Sequence, residues 1–191
     1  MLTDRKISVV TPCYNDAGSL REMHRRVAAV MQQITPTWEL VYVNDASPDD
    51  AWAVLRELAA ADRRVVAMDH ARNFGAEAAY TAGLRVCTGD AAIMIDGDLQ
   101  DPPELFVEFV RQWLAGAQVV YGVRRRRPGN LLKRAAYRLF YRIYRRLSYL
   151  DIPVDAGDFG LLDRRVVDEL NRLPESDRFL RGLRTWVGFR Q

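Results

Sequence analysis

Two aspartates, Asp96 and Asp98, carry the strongest chemical signal in the sequence. They end the run Ala-Ala-Ile-Met-Ile-Asp-Gly-Asp at residues 91–98, which continues as Leu-Gln-Asp-Pro-Pro-Glu. A short apolar run bounded by turn residues predicts a buried strand, so both carboxylates fall at its carboxyl end, where open α/β sheets bind ligands. With the Gln100 amide they offer hard oxygen atoms to one divalent cation, whose other positions water and phosphate can fill. An acidic turn that caps a helix would have the same local sequence.

Apolar runs and helical patterns alternate along the chain, and the strands and helices that they predict must position these carboxylates. The alternation predicts βαβ units, and therefore an α/β fold built on a mainly parallel sheet. Strands that are apolar throughout indicate that helices cover both faces of the sheet. Polar residues that follow several strands should then meet at one edge. The predicted strands are residues 7–12, 40–45, 65–68, 91–96 and 119–122, and the predicted helices are residues 19–34, one that opens with Pro48 near its first position, 75–86 and 103–114.

The composition excludes several classes of protein. A chain of 191 residues with 49% hydrophobic and 28% charged residues can bury one core and is not disordered. Its two cysteines, Cys13 and Cys87, are far apart in apolar surroundings, which favours a reducing compartment and predicts no disulfide framework or zinc site. The absence of a Gly-x-Gly-x-x-Gly run and of a Gly-Lys-Ser/Thr loop disfavours dinucleotide oxidoreductases and P-loop NTPases. The N-terminus lacks a signal-peptide core, and no apolar run is long enough to cross a membrane.

Basic residues are concentrated in one segment. Residues 124–146 hold ten Arg or Lys and no acidic residue, which leaves 18 basic against 25 acidic residues elsewhere. This asymmetry favours a local anionic partner over nucleic acid. Residues 131–147 have an apolar face, an arginine face and tyrosines between them, as in interfacial membrane helices, although a helix packed on the core would look the same. We expect an anionic membrane surface as a partner and Arg124, Arg127 and Lys133 as candidate ligands of a phosphate group.

Six ordered motifs resemble those of the inverting glycosyltransferase family two, which has the GT-A fold. Within it the chain is similar to the branch that makes polyprenyl-phosphate sugars, which includes dolichol-phosphate mannose synthases and bacterial undecaprenyl-phosphate glycosyltransferases. The resemblance runs from about residue 7 to the last residue. The matching segments are VTPCYND at 10–16, VNDAS at 43–47, RNFG at 72–75, DGDLQDPPE at 96–104, DAGDF at 155–159 and RFLRG at 178–182.

The resemblance implies an enzyme that transfers a sugar from a UDP- or GDP-sugar to a polyprenyl phosphate with inversion, using Mg²⁺ or Mn²⁺. It implies a single GT-A domain over residues 1–191, with residues 124–150 as a basic amphipathic segment beside the cytoplasmic face of the membrane. Family members usually continue into transmembrane helices beyond the region of residues 188–191, so this chain alone is expected to be peripheral. A homo-oligomer remains open, and nucleic acid is not an expected partner.

The resemblance also assigns roles to individual residues. Asp96, Asp98 and Gln100 are the candidate metal ligands, and Asp98 is also a candidate catalytic residue. Asp158 would position the reactants or act as a base. The candidate ligands of the acceptor phosphate are Arg124, Arg127, Lys133 and Arg178. Candidate nucleotide-sugar ligands are Pro12, Tyr14, Asp16, Asp45, Asn73, Asp96 and Asp98, and Asp45 would accept a hydrogen bond from a base N–H.

Two departures and several alternatives accompany these assignments. The family usually has Glu where this chain has Asp16, and Asp-Asp-Gly-Ser where it has residues 44–47. Asp45 could instead be a helix N-cap, and Asn73 could belong to a helix-entry turn. The alternative functions are a family-two transferase with a glycan or soluble acceptor and a non-catalytic module that binds nucleotide sugar or membrane.

Overall fold

The computed structural model describes residues 1–123 and 156–191, which contain one six-stranded sheet. The strands are β1 (Ile7–Cys13), β2 (Trp38–Asn44), β3 (Val65–Asp69), β4 (Ala91–Met94), β5 (Val119–Val123) and β6 (Ala156–Asp163). Their spatial order is β3-β2-β1-β4-β6-β5. Strands β1 to β5 point the same way, because β6 is antiparallel to both β4 and β5. The mainly parallel sheet predicted from the sequence is confirmed.

Helices cover both faces of the sheet, as the apolar strands predict. They are α1 (Ala17–Ile34), α2 (Ala51–Ala61), α3 (Ala76–Val86), α4 (Phe106–Leu114), α5 (Arg164–Arg172) and α6 (Leu180–Trp186), and a 3₁₀ turn at Pro103–Leu105 precedes α4. Alternate strand residues enter two cores: Ile7 and Val9 pack with α1, α2 and α4, whereas Val10 packs with α3, α5 and α6. This period of two is what a strand buried on both sides requires.

The second helix begins later than predicted. The prediction that it opens at Pro48 is wrong, because α2 starts at Ala51 and Pro48 lies in the preceding turn. The Asp49 carboxylate accepts hydrogen bonds from the backbone N–H of Ala51 at 3.1 Å and of Ala17 at 2.9 Å. Ser47 Oγ donates to the same carboxylate at 2.5 Å. These bonds organise residues 47–50 as a turn joined to the start of α1, so that helical geometry begins only after it.

Strand β4 is shorter than predicted, and β6 had no strand signal. β4 ends at Met94 rather than Asp96, although the Ile95 N–H still donates to the Val10 carbonyl at 3.1 Å. β6 is interrupted by glycines, and Gly160 is required there. A Cβ at Gly160 would lie 2.4 Å from the Val120 carbonyl oxygen, so close pairing of β6 with β5 needs glycine. The residue that permits the pairing thus weakens the strand pattern.

The basic segment at residues 124–150, with Arg124, Arg127 and Lys133, lies outside the described residues. Within the two described ranges, no helix is both long enough and apolar enough to span a membrane.

Candidate functional site

A pocket of about 360 Å³ opens at the edge of the sheet where β1, β2 and β4 end. It collects all seven residues that the sequence indicates as nucleotide-sugar ligands, together with backbone and small side chains between them. Its lining consists of Pro12, Cys13, Tyr14, Asp16, Asp45, Asn73, Gly75, Ala76, Asp96, Gly97 and Asp98. Segments up to 86 residues apart in sequence therefore meet here because parallel strands place their carboxyl ends together.

The loop after β1 forms one wall of the pocket. Asn15 has a φ of 60°, in the left-handed region, and its N–H donates to Ser47 Oγ at 2.8 Å. This turn leaves the Tyr14 side chain 45% exposed at the pocket. Asp16 accepts the Tyr14 N–H at 3.0 Å and does not cap α1 with its side chain. Burial raises the pKa of Asp16, and repulsion from Asp98 raises it further.

The turn after β4 forms a second, acidic wall of the pocket. Asp96 Oδ1 accepts the hydroxyl of Tyr80 at 2.8 Å, and Asp98 Oδ1 accepts the backbone N–H of Gln100 at 3.0 Å. Burial raises the pKa of Asp96, and although the Tyr80 bond opposes this, repulsion from Asp98 and Asp158 adds to it. Among the described residues, no group of three or more His, Cys, Asp or Glu could hold a metal ion. A cation at Asp96 and Asp98 would therefore take most of its ligands from water or a bound molecule.

Asp45, at the end of β2, has its carboxylate surrounded by donors. Oδ1 accepts from His70 Nδ1 at 2.8 Å and from the Phe74 N–H at 2.9 Å, and Oδ2 accepts from the Gly75 N–H at 2.7 Å. The Asp45 pKa is lowered: burial alone would raise it, but these three hydrogen bonds outweigh burial. Asp45 does not cap a helix, because the residue preceding α2 is Asp50.

Asp158 lies on β6 beside the acidic wall but does not line the pocket. Arg181 on α6 holds both of its oxygens, with Nε to Oδ1 at 2.8 Å and Nη2 to Oδ2 at 2.5 Å. Arg184 follows one turn later, is 4% exposed and stacks on the Tyr121 ring at 4.9 Å. Its Nε and Nη2 are buried and have no hydrogen-bond partner among the described residues. Burial lowers the Arg184 pKa.

Arg178 lies apart from the pocket. Its guanidinium donates to the carbonyls of Leu170 at 2.8 Å, Leu173 at 2.7 Å and Glu175 at 3.2 Å, so it closes the end of α5 and the loop that follows. It lines a second cleft of about 720 Å³ between α3 and residues 174–179. Contact of Arg178 with an acceptor phosphate therefore stays a prediction.

Three residues with functional geometry were missed from the sequence: Tyr80, His70 and Arg184. The Tyr80 ring is buried in an alanine-rich helix, where an aromatic residue at helical spacing indicates only core packing. His70 follows β3 and has no motif to mark it. Only the proximity of "RNFG" at 72–75 could have directed attention to it.

The fold is that of GT-A transferases. A mannosyltransferase from Pyrobaculum calidifontis, solved in complex with GDP-Man and Mn²⁺, matches with a TM-score of 0.67 over 98% of this chain and 54% of its own, at 20% identity. Glucosyl-3-phosphoglycerate synthase from Mycobacterium tuberculosis, solved with Mn²⁺, UDP and phosphoglyceric acid, matches with a TM-score of 0.60 over 85% and 57%, at 21% identity. At these identities the likeness establishes the fold alone.

The chain belongs to glycosyl transferase family 2, whose model matches residues 8–170. It is 45% identical over 185 residues to an uncharacterized glycosyltransferase, YkcC, of Bacillus subtilis, covering 96% of this chain and 57% of the relative. It is 38% identical over 184 residues to a bactoprenol glucosyl transferase of Shigella phage SfX, covering 96% and 60%. The chain thus spans somewhat over half the length of these relatives. The fold class, the family and the transferase class predicted from the sequence are confirmed.

Proposed function

We propose that this chain is the nucleotide-sugar-binding and catalytic part of an inverting glycosyltransferase that uses a polyprenyl phosphate as acceptor at the cytoplasmic face of a membrane. The observation that carries the proposal is the pocket at the ends of β1, β2 and β4, whose lining combines Pro12, Tyr14 and Asp45 with the acidic turn of Asp96 and Asp98. Relatives named bactoprenol glucosyl transferases, 37–38% identical, support the acceptor class.

The acidic wall fits a hard divalent cation, Mg²⁺ or Mn²⁺. Burial raises the pKa of Asp96, and repulsion from Asp98 adds to this, so a cation bound between the two carboxylates would relieve an unfavourable charge. Two carboxylates, with Gln100 close behind them, match the small protein ligand set that such cations take when substrate phosphates complete the shell. When bound, the cation would supply Lewis-acid stabilisation of the leaving diphosphate. Tyr80 would keep Asp96 aimed at it through its 2.8 Å hydrogen bond.

The part of the pocket at the ends of β1 and β2 would hold the nucleoside. Pro12 and the exposed Tyr14 provide apolar surface beside the end of β1, and the buried Asp45 lines the same pocket as a charged acceptor. Asp16 stays close to the acidic turn, since a Cβ at Gly97 would lie 3.3 Å from its Oδ2. A nucleoside diphosphate would therefore extend from Asp45 to the turn of Asp96 and Asp98.

The chemistry requires positioning more than proton removal. A phosphate monoester has a second pKa of about 6, so the acceptor oxygen is already largely anionic near neutral pH. That oxygen attacks the anomeric carbon on the face opposite to the diphosphate, the new C–O bond forms as the bond to the diphosphate breaks, and the anomeric configuration inverts. Arg181 occupies both oxygens of Asp158, so we assign Asp158 to positioning rather than to base catalysis. Arg124, Arg127 and Lys133 remain the proposed acceptor-phosphate ligands.

A thermal-shift panel of nucleotide sugars, each with and without Mn²⁺, tests the donor half of the proposal. Ligand at a hundred times its dissociation constant stabilises the folded state by about 2.7 kcal/mol, which gives a clear rise in Tm. We expect such a rise with one class of nucleotide sugar and only in the presence of metal. No rise with any nucleotide sugar would contradict the proposal.

Transfer assays on vesicles test the acceptor half. We expect sugar to be transferred to undecaprenyl phosphate in anionic vesicles and not to soluble glycans. Flotation with anionic but not neutral vesicles should accompany it, because basic residues near a charged surface each contribute about 1 kcal/mol of attraction. Transfer to a soluble glycan in the absence of vesicles would favour the alternative family-two function.

A further inference from the structure

The Asp45 carboxylate has only one acceptor position left for a ligand. An ionised carboxylate accepts hydrogen bonds and donates none, and each of its oxygens has room for about two. His70 Nδ1 and the Phe74 N–H fill Oδ1 at 2.8 and 2.9 Å, whereas Oδ2 accepts only the Gly75 N–H at 2.7 Å. The side chain is 4% exposed and borders the pocket, so the open position on Oδ2 is the one that a bound base can use.

His70 fixes this arrangement. Because the carboxylate can only accept, the proton of the imidazole lies on Nδ1. The ring meets the Phe74 ring edge-on, with centroids 5.4 Å apart and planes at 87°, and the His70 N–H donates to the Asn44 carbonyl at 2.9 Å. The imidazole is therefore held by backbone and by packing, and it prevents Asp45 from turning Oδ1 towards a ligand.

Asn73 adds a donor next to the open acceptor. Its Oδ1 accepts the same Gly75 N–H that Asp45 Oδ2 accepts, at 3.0 Å, which places the two side chains side by side in the pocket lining. This bond identifies the oxygen of the amide, so its NH₂ group is the part left for a ligand. The pocket thus presents one donor beside one acceptor.

We infer that His70 makes this pocket selective for a uracil base over a guanine base, by leaving Asp45 one acceptor position instead of two. The inference rests on the proposed function and names its nucleotide class. Uracil offers a single N–H between two carbonyls, which matches Asp45 Oδ2 and the Asn73 NH₂ group. Guanine offers a ring N–H and an exocyclic NH₂ side by side, and its NH₂ group would find Oδ1 already occupied by His70 Nδ1. A donor left unsatisfied on binding weakens affinity by about tenfold to a hundredfold.

Calorimetric titration with UDP, GDP and inosine diphosphate (IDP), each with Mn²⁺, tests the inference on the unmodified chain. IDP is GDP without the exocyclic NH₂ group, so it isolates the group that His70 is inferred to exclude. We expect UDP to bind at least about tenfold more tightly than GDP, and IDP to bind more tightly than GDP by a similar factor.

Variants of His70 test whether this residue causes the preference for UDP and IDP over GDP. His70→Ala removes the donor and opens space at Oδ1, so the UDP-to-GDP preference and the IDP-to-GDP preference should both fall by about tenfold. His70→Asn restores a side-chain N–H donor at this position and should restore both preferences. The matched control is His24→Ala, which breaks another histidine–aspartate pair, with Asp62 at 3.1 Å, outside the pocket lining, and should leave both ratios unchanged.

The outcomes separate this inference from the proposed function. GDP binding as tightly as UDP would overturn uracil selection while leaving the nucleotide-sugar site intact. IDP binding no better than GDP, or unchanged ratios in a folded His70→Ala variant, would overturn the role of His70. Failure of the chain to bind any of the three nucleotides would overturn the donor site itself and the inference with it. If His70→Ala does not fold, the IDP-to-GDP ratio of the unmodified chain still tests whether the pocket excludes the exocyclic NH₂ group.

Discussion

Asp45 and Asp96 follow the two strands that flank β1, yet the protein surrounds the first with donors and the second with carboxylates. Asp45 accepts three hydrogen bonds, and its pKa is lowered. Asp96 accepts one hydrogen bond within the described ranges, from Tyr80, and its pKa is raised by burial and by the neighbouring Asp98. The same residue type is thus stabilised in its charged form at one end of the pocket and destabilised at the other.

The difference between Asp45 and Asp96 indicates what kind of ligand group each end of the pocket can bind. At the Asp45 end the protein itself supplies three donors and leaves one acceptor position, so this end suits recognition of a neutral group of defined shape. The Asp96 end has excess negative charge that a cation from outside would relieve. A molecule that has a neutral base, and an anionic diphosphate that binds a cation, fits both ends at once. Four substitutions test this difference between the two ends.

The largest effect is expected for Asp98→Ala. Removing a proposed metal ligand should weaken Mn²⁺-dependent nucleotide-sugar binding by at least about a hundredfold, since even outer partners of metal ligands are worth about 10–100-fold. Stability should change little, because Asp98 is exposed and, among the residues that the structure describes, its side chain accepts a hydrogen bond only from the Gln100 N–H. Calorimetry with and without Mn²⁺ measures the change. The control is Asp50→Asn, an exposed position whose side chain caps nothing. Equal metal-dependent binding by Asp98→Ala and the unmodified chain would refute the metal assignment.

The next effect is expected for Asp45→Ala, and it concerns stability. Three donors, from His70, Phe74 and Gly75, would lose their acceptor, and the free energy of unfolding should fall by about 2 kcal/mol or more. Urea denaturation of Asp45→Ala and of Asp98→Ala measures how much each substitution lowers the free energy of unfolding. A loss of similar size in both variants would mean that the two ends of the pocket do not differ as described.

The sequence predicted this pocket well because its main signal is topological. Once parallel strands are inferred from apolar runs, residues such as Asp16, Asp45 and Asp96 must meet at one edge. The sequence did not predict β6, because the glycines that allow close pairing with β5 also weaken the strand pattern. It also missed the contacts of Tyr80 and His70, since which side chain reaches a given carboxylate depends on loop geometry that periodicity does not encode.

The start of α2 is another case in which loop geometry was not predictable from the sequence pattern. A proline near a helix start is a fair signal for the first turn. Here the Asp49 carboxylate bonds to the backbone of both Ala17 and Ala51, and the loop it forms delays the helix beyond Pro48. A contact between segments far apart in sequence therefore decided the boundary.

A smaller effect is expected for Tyr80→Phe. The hydroxyl of Tyr80 is the donor that the described structure provides to Asp96, and its loss should weaken Mn²⁺-dependent nucleotide-sugar binding by up to about tenfold. Tyr42→Phe is the matched control, because the Tyr42 hydroxyl is buried with no hydrogen-bond partner among the described residues. The control should bind as the unmodified chain does and unfold at the same or a higher temperature. Identical binding by both variants would show that Tyr80 does not position Asp96.

The smallest effect is expected for Asp16→Asn, and it depends on pH. The pKa of Asp16 is raised above 3.8, chiefly by burial, so the folded state binds this proton more readily than the unfolded state does. The charged form therefore destabilises the fold at neutral pH, and this cost disappears as pH falls towards the ordinary carboxyl range. In the presence of a chelator, Asp16→Asn should be more stable than the unmodified chain by less than about 1 kcal/mol at pH 7, allowing for solvent screening. The gap should close near pH 4, as measured by urea denaturation across that range. A gap that stays constant with pH would show that the charge on Asp16 is not its cause.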